Sequence, residues 1–115
     1  MADTVARFLE ILESKGLKLF AVIDQRAEAQ SVGLDLRETT LVVFGNPKAG
    51  TPVMVAAPLS ALDLPLKILV WADHDGATQV SYVDPAEIAV RYDLTPEQAA
   101  AFAPINALSD ALVAP

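Results

Sequence analysis

The chain contains no cysteine, one histidine, one tryptophan and few aromatics overall, and 8 basic side chains stand against 15 acidic ones in its 115 residues. Each shortage closes a class of chemistry. Without cysteine there is no thiolate nucleophile, no disulfide and no thiolate zinc site. A single histidine, His74, leaves hydrolytic and transition-metal chemistry short of the base or ligand it usually recruits alongside a positioned partner. A net charge of −7 and a pI near 4.4 argue against nucleic acid and anionic membrane surfaces as partners, because both require a basic face. Hydrophobic stretches are cut short by Pro52, Pro58, Pro65 or Lys67, so none approaches the roughly 18 apolar residues of a membrane span. The N-terminal MADTVARFLE lacks the basic and apolar regions of a secretory signal, and a cytoplasmic location is the expectation.

What is present is apolar content of 53%, enough for residues 1–115 to form one domain with a proper core. Val5, Phe8, Leu9 and Leu12 recur at helical spacing between Asp3, a candidate N-cap, and Gly16, a candidate left-handed stop, so the spacing predicts a helix over 4–15. LKLFAVID, 17–24, reads as a strand ending at Asp24, which would cap a short helix over 25–32 stopped by Gly33. TLVVFG, 40–45, has nothing polar after Thr40 and reads as a strand buried on both faces or nearly so. Thr51-Pro52 predicts a helix start, with the helix over 52–62 disturbed at Pro58. Strands over 66–73 and 78–83 flank Asp75-Gly76, a strong hairpin signal. Asp84-Pro85-Ala86-Glu87 and Thr95-Pro96-Glu97-Gln98 both have capping-box form, and Pro104 should break or kink the last helix. A hairpin mixed with single strands among helices points to an α+β fold.

The most suggestive segment for function is FGNPKAGTP, a strand running into a glycine-bounded loop that opens a helix, a geometry that presents backbone N–H groups to anions. It is not a P-loop: Gly45 and Gly50 have the spacing, but Thr51 and Pro52 stand where Lys and Ser/Thr belong, and Lys48 lies inside the loop. Asn46, Lys48 and Thr51 are therefore candidate ligand-binding residues. Asp24 and Arg37 join them, one ending a strand and the other preceding one, where polar groups at a sheet end converge on small ligands. Their bland alternatives are a helix cap for Asp24 and, for Arg37, its ion-pair partner or a surface residue. Asp73, His74 and Asp75 sit in the hairpin turn, and three adjacent turn residues cannot converge on one ion without further ligands, so no metal site is expected.

The runs FAVIDQRAEA, GLDLRETTLVVFGNPKAGTPVMVAAPLSALDLPLKILVWADHDG and VSYVDP resemble the family called domain of unknown function 302, over residues 4–92, with FGNPKAGTP and LDLPLK the most specific parts. The resemblance implies a two-layer α+β domain, a curved antiparallel sheet backed by helices, TATA-box-binding-protein-like in fold, with no established activity; no cofactor is expected. A likeness of fold carries no DNA binding with it. Two departures stand out: Gln25 where members commonly have histidine, and Glu38 where they have proline. A proton-transfer role for that histidine would be absent here. The family's usual first strand is also not expected ahead of the first helix, which leaves a sheet edge exposed or covered by a partner.

The expected function is a small non-enzymatic ligand-binding or protein-interaction domain, with no catalytic residue assigned, and the alternative is an enzyme acting on a small polar or anionic substrate at the GNPKAG loop. A homodimer is expected. Strands 40–45 and 66–73 would be poorly protected at an edge, and Phe102, Ile105, Leu108 and Leu112 form an apolar stripe that either covers its own sheet or packs on a partner.

Overall fold

The computed structural model describes residues 1–114, and it shows an α+β architecture in two layers. Four strands, β1 (Lys18–Asp24), β2 (Thr39–Gly45), β3 (Leu66–Ala72) and β4 (Thr78–Ser81), form an antiparallel curved sheet in the order β1-β2-β3-β4. Six α-helices accompany it: α1 (Ala2–Ser14), α2 (Gln25–Ser31), α3 (Pro47–Ala56), α4 (Pro85–Arg91), α5 (Pro96–Ala99) and α6 (Pro104–Val113), with a 3₁₀ segment over Pro58–Asp63.

Alternation along the strands decides which face is core. Val42 lies opposite Ile68, and Phe44 opposite Leu66, and all four are buried, whereas their neighbours Leu41, Val43, Lys67 and Leu69 on the opposite face are half-buried. TLVVFG is thus buried on one face, not two. Phe8 and Leu12 from α1, Val53 from α3, Ile88 from α4 and Phe102, Ile105, Leu108 and Leu112 complete one hydrophobic cluster with the inner sheet face. The Phe8 and Phe44 rings meet edge to face, 5.2 Å between centroids, the arrangement their quadrupoles favour. The C-terminal apolar stripe therefore covers its own sheet. Arg7 fastens the same layer from α1 by donating to the Leu112 carbonyl.

Local chemistry set most boundaries and moved a few. α1 ends in a Schellman arrangement: Leu17 N–H donates to Leu12 O at 3.0 Å, and Gly16 takes φ +67, a conformation that costs glycine little. Its start is Met1 with no side-chain cap, so Asp3 is a first-turn acid and not the cap. The box at Thr95 closes reciprocally with Gln98. That at Asp84 does not: Asp84 accepts from Ala86 N–H, while Glu87 turns to Arg91 at 3.7 Å. Pro104 sits in the first turn of a new helix, and Pro58 opens the 3₁₀ segment, since neither can continue a helix from the preceding turn.

Strands 40–45 and 66–73 turn out to be central, so neither needs edge protection. The edges are β1 and β4. The hairpin before β4 is held by Asp73, whose Oδ1 accepts from the Asp75 and Ala77 N–H groups, with Gly76 at φ +81.

Candidate functional site

The largest departure from the sequence reading lies at FGNPKAGTP. The chain offers two proline-led helix starts five residues apart, Asn46-Pro47 and Thr51-Pro52, and the first one operates. Asn46 is extended (φ −128, ψ 108) and its side chain accepts from Lys48 N–H at 3.0 Å, with Pro47 in the first turn. Thr51 and Pro52 lie inside α3. This changes what the segment can bind. Pro47 has no N–H, the Lys48 N–H is taken by the Asn46 side chain, and the N–H groups of Ala49 and Gly50 both donate to the Asn46 carbonyl at 3.0 Å. The first-turn donors that would cradle an anion are occupied.

Beside this capped start lies a cleft of about 430 Å³. Four parts of the chain wall it: Leu17 and Phe20 at the start of β1, the β2–α3 junction from Gly45 to Met54, the Leu64-Pro65-Leu66 entry to β3, whose Leu64-Pro65 peptide is cis, and Ala100, Ala101 and Pro104 between α5 and α6. None of the fifteen lining residues is ionisable. Polar atoms come only from the backbone and from Asn46 and Thr51. Two positions in its wall are glycine: a Cβ on Gly50 would meet the Leu64 methyls at 3.7 Å and 3.9 Å, and one on Gly45 would meet Pro65 at 3.6 Å and the Phe20 ring at 3.9 Å. These are ordinary contact distances, so a methyl would line the wall without clash.

The five residues expected to bind ligand divide between the two ends of the sheet. Asn46 and Thr51 line this cleft, while Lys48, though in the same turn, does not. Asp24 pairs with Thr40, whereas Lys18 at the other end of β1 pairs with Gly45, so Asp24 stands about 20 Å away at about 3.3 Å per strand residue. There it caps α2, accepting from Ala27 N–H at 3.0 Å, and joins Arg26, Glu38 and Thr40 around a second, shallower cleft under the start of α1. Arg37 lies at the same sheet end but in an adjoining open depression with Asp73 and His74. The ion pair of this corner is Arg26–Glu38 at 3.8 Å, not Asp24–Arg37.

Asp73, His74 and Asp75 bring one ligand atom each within 4.8 Å of one another. Asp73 is nevertheless committed to the turn: Oδ1 takes two backbone N–H groups and Oδ2 accepts from Gln79 at 2.9 Å. The Gln79 bond leads the contacts that hold its carboxyl below the usual aspartate range.

A polar cluster that sequence spacing did not signal joins the 3₁₀ segment to α4. Asp63 Oδ2 accepts from Arg91 Nη1 at 2.8 Å and from the Tyr92 hydroxyl. Its side chain is 15% exposed. Burial alone would push its carboxyl up; the bonds from Tyr92 and Arg91, with the charges of Arg91 and Lys67, outweigh that and hold it below the ordinary range. The only sequence signal was its place in LDLPLK.

With the sheet, the cleft and this cluster in place, the family is decided by a family model that matches residues 1–112. The chain belongs to the family described as domain of unknown function DUF302. A crystal structure of an uncharacterized conserved DUF302 protein from Bacillus stearothermophilus is similar to it with a TM-score of 0.81 and 22% identity, covering 98% of this chain and 88% of that one. Among curated relatives, Fluoride-specific ion channel FluC 1 of Brucella suis is 37% identical over 94 residues, 82% of this chain and 37% of that protein. Fluoride-specific ion channel FluC 2 of Brucella melitensis matches at the same identity over 35% of its length. This DUF302 chain thus spans little more than a third of these relatives. No helix among its described residues is long and apolar enough to cross a membrane.

Proposed function

We propose that this DUF302 domain is a non-enzymatic binding domain that takes up a small apolar molecule in the cleft beside the start of α3. The observation that carries the reading is the lining: fifteen residues, none ionisable, around about 430 Å³, a volume within the usual range of small-ligand sites. The alternative, an enzyme acting on a polar or anionic substrate at GNPKAG, has less behind it. Acid–base catalysis needs a titratable group in reach of the reacting atom, and the turn's N–H donors are already spent.

The test is a thermal-shift panel of aliphatic and aromatic small molecules beside nucleotides, sugar phosphates and sodium fluoride. A ligand at a hundredfold excess over its Kd adds about 2.7 kcal/mol to stability, a shift of several degrees. Apolar compounds should raise the midpoint of the wild type, and Thr51→Trp, which fills the cleft from an exposed helix position, should abolish the shift. A response confined to the phosphates would favour the enzyme reading.

A second reading follows from the Brucella relatives. They are named as ion channels, and the region this chain matches is a little over a third of their length. In that reading the domain is a module that serves a membrane channel without forming its pore. A midpoint raised by sodium fluoride and not by sodium chloride would favour it.

A further inference from the structure

We propose that β1 is a self-pairing edge, on which a second copy of this chain adds its own β1 antiparallel, extending the sheet across a two-fold axis. The two edges of the sheet are built differently. β4 is four residues long and polar, Thr78-Gln79-Val80-Ser81, a short edge of the kind that resists pairing. β1 is seven residues long, and Leu19, Phe20, Val22 and Ile23 are 36–45% exposed along it. It has no interior charge and no proline. The one blunting device is a bulge between Leu19 and Ala21, and it has another use: the extra residue, Phe20, lies beside Gly45 and lines the cleft.

The charges on this edge specify the occupant. Lys18 begins the strand and Asp24 ends it, with Lys15 exposed before the first and Glu28 exposed after the second. Of the basic groups at the Asp24 end, Arg26 is paired with Glu38, and Arg37 lies across the sheet end beside Asp73. A strand with a positive start and a negative finish complements a copy of itself only when the two run antiparallel. That is also the relation a closed two-fold imposes when one edge meets its own copy. Lys18 then faces the partner's Asp24 at both ends, and the apolar middles cover each other. Because Phe20 belongs to both edge and cleft wall, the partner's strand runs along the cleft mouth. The pairing does not rest on the ligand reading, since it needs only the edge.

Light scattering behind size exclusion over a concentration series of the full chain tests it, with circular dichroism confirming that each variant is folded. The wild type should reach twice the 12.2 kDa of one chain. Val22→Lys, a charge in the middle of the edge, should weaken association by about tenfold or more. Lys18→Glu alone and Asp24→Lys alone each set like charges opposite one another and should be monomeric, whereas their equimolar mixture should form a heterodimer. A wild type that stays at the mass of one chain on concentrating overturns the proposal. So does a dimer indifferent to Val22→Lys, or a mixture of the two reversals that fails to associate. A cleft that binds no apolar compound leaves it standing.

Discussion

Asp63 shows how one side chain makes stability depend on pH in both directions. Its carboxyl is held below the ordinary range despite burial, so the folded state binds its proton less readily than the unfolded chain does. The stabilisation is therefore present above the ordinary aspartate value of about 3.9 and is lost as pH falls through the lowered value. Tyr92 mirrors it: donating to Asp63 raises the phenol, with burial adding to the effect. That contribution is present below the ordinary value of about 10 and is lost as pH rises through the raised one. Denaturant titrations across pH should show both limbs. Asp63→Asn should cost about 1–3 kcal/mol at neutral pH and shrink the acid limb to the share that Asp73, also held low, contributes, and Tyr92→Phe should flatten the alkaline one. An acid limb unchanged in Asp63→Asn would mean that other carboxylates carry it.

Among the elements, α3 separates what can be read from local sequence from what cannot. Asn46→Ala removes the side chain that takes the Lys48 N–H and should cost about 1 kcal/mol. Thr51→Ala, at an exposed position within the helix, should stay within about 0.5 kcal/mol. Equilibrium unfolding of the pair decides which residue caps the helix. The sequence reading puts the start at Thr51-Pro52, and the extended backbone at Asn46 with its bond from the Lys48 N–H places the cap five residues earlier. Signals that close over a few residues were legible: Asp24 capping α2, Gly16 stopping α1, the Thr95–Gln98 box and the Asp75-Gly76 turn. Signals that close over distance were not. Arg91 meets Asp63 across 28 positions, and nothing local marks either residue. The strand character of β1 was plain from LKLFAVID, but its place at the edge depends on which strands lie beside it. Asp24 and Arg37 were correctly placed at a sheet end; which end Asn46 shared depended on the direction and length of β1.

For the whole molecule, the C-terminal third is as much part of the cleft and the core as the FGNPKAGTP segment. The cleft wall draws on residues 17–20, 45–54, 64–66 and 100–104, so an apolar ligand seated there would touch elements from nearly the full length of the chain. The same C-terminal elements close the core. Phe102, Ile105, Leu108 and Leu112 are at most 3% exposed, and truncating one buried Leu, Ile or Phe to alanine already costs about 2–5 kcal/mol. Removing all four, about 8–20 kcal/mol on that scale, is enough to match or exceed the roughly 5–15 kcal/mol by which a domain is stable. It would also bare Phe8, Phe44 and Ile68, which they cover. Deleting residues 95–115 should therefore give a chain without a cooperative thermal transition that binds an apolar fluorescent dye, and not a smaller folded domain. Cooperative unfolding of that truncation would place the core elsewhere. Point substitutions on β1 are thus the right instrument for asking how two copies meet, because a deletion that removes the C-terminal helices would remove the fold with them.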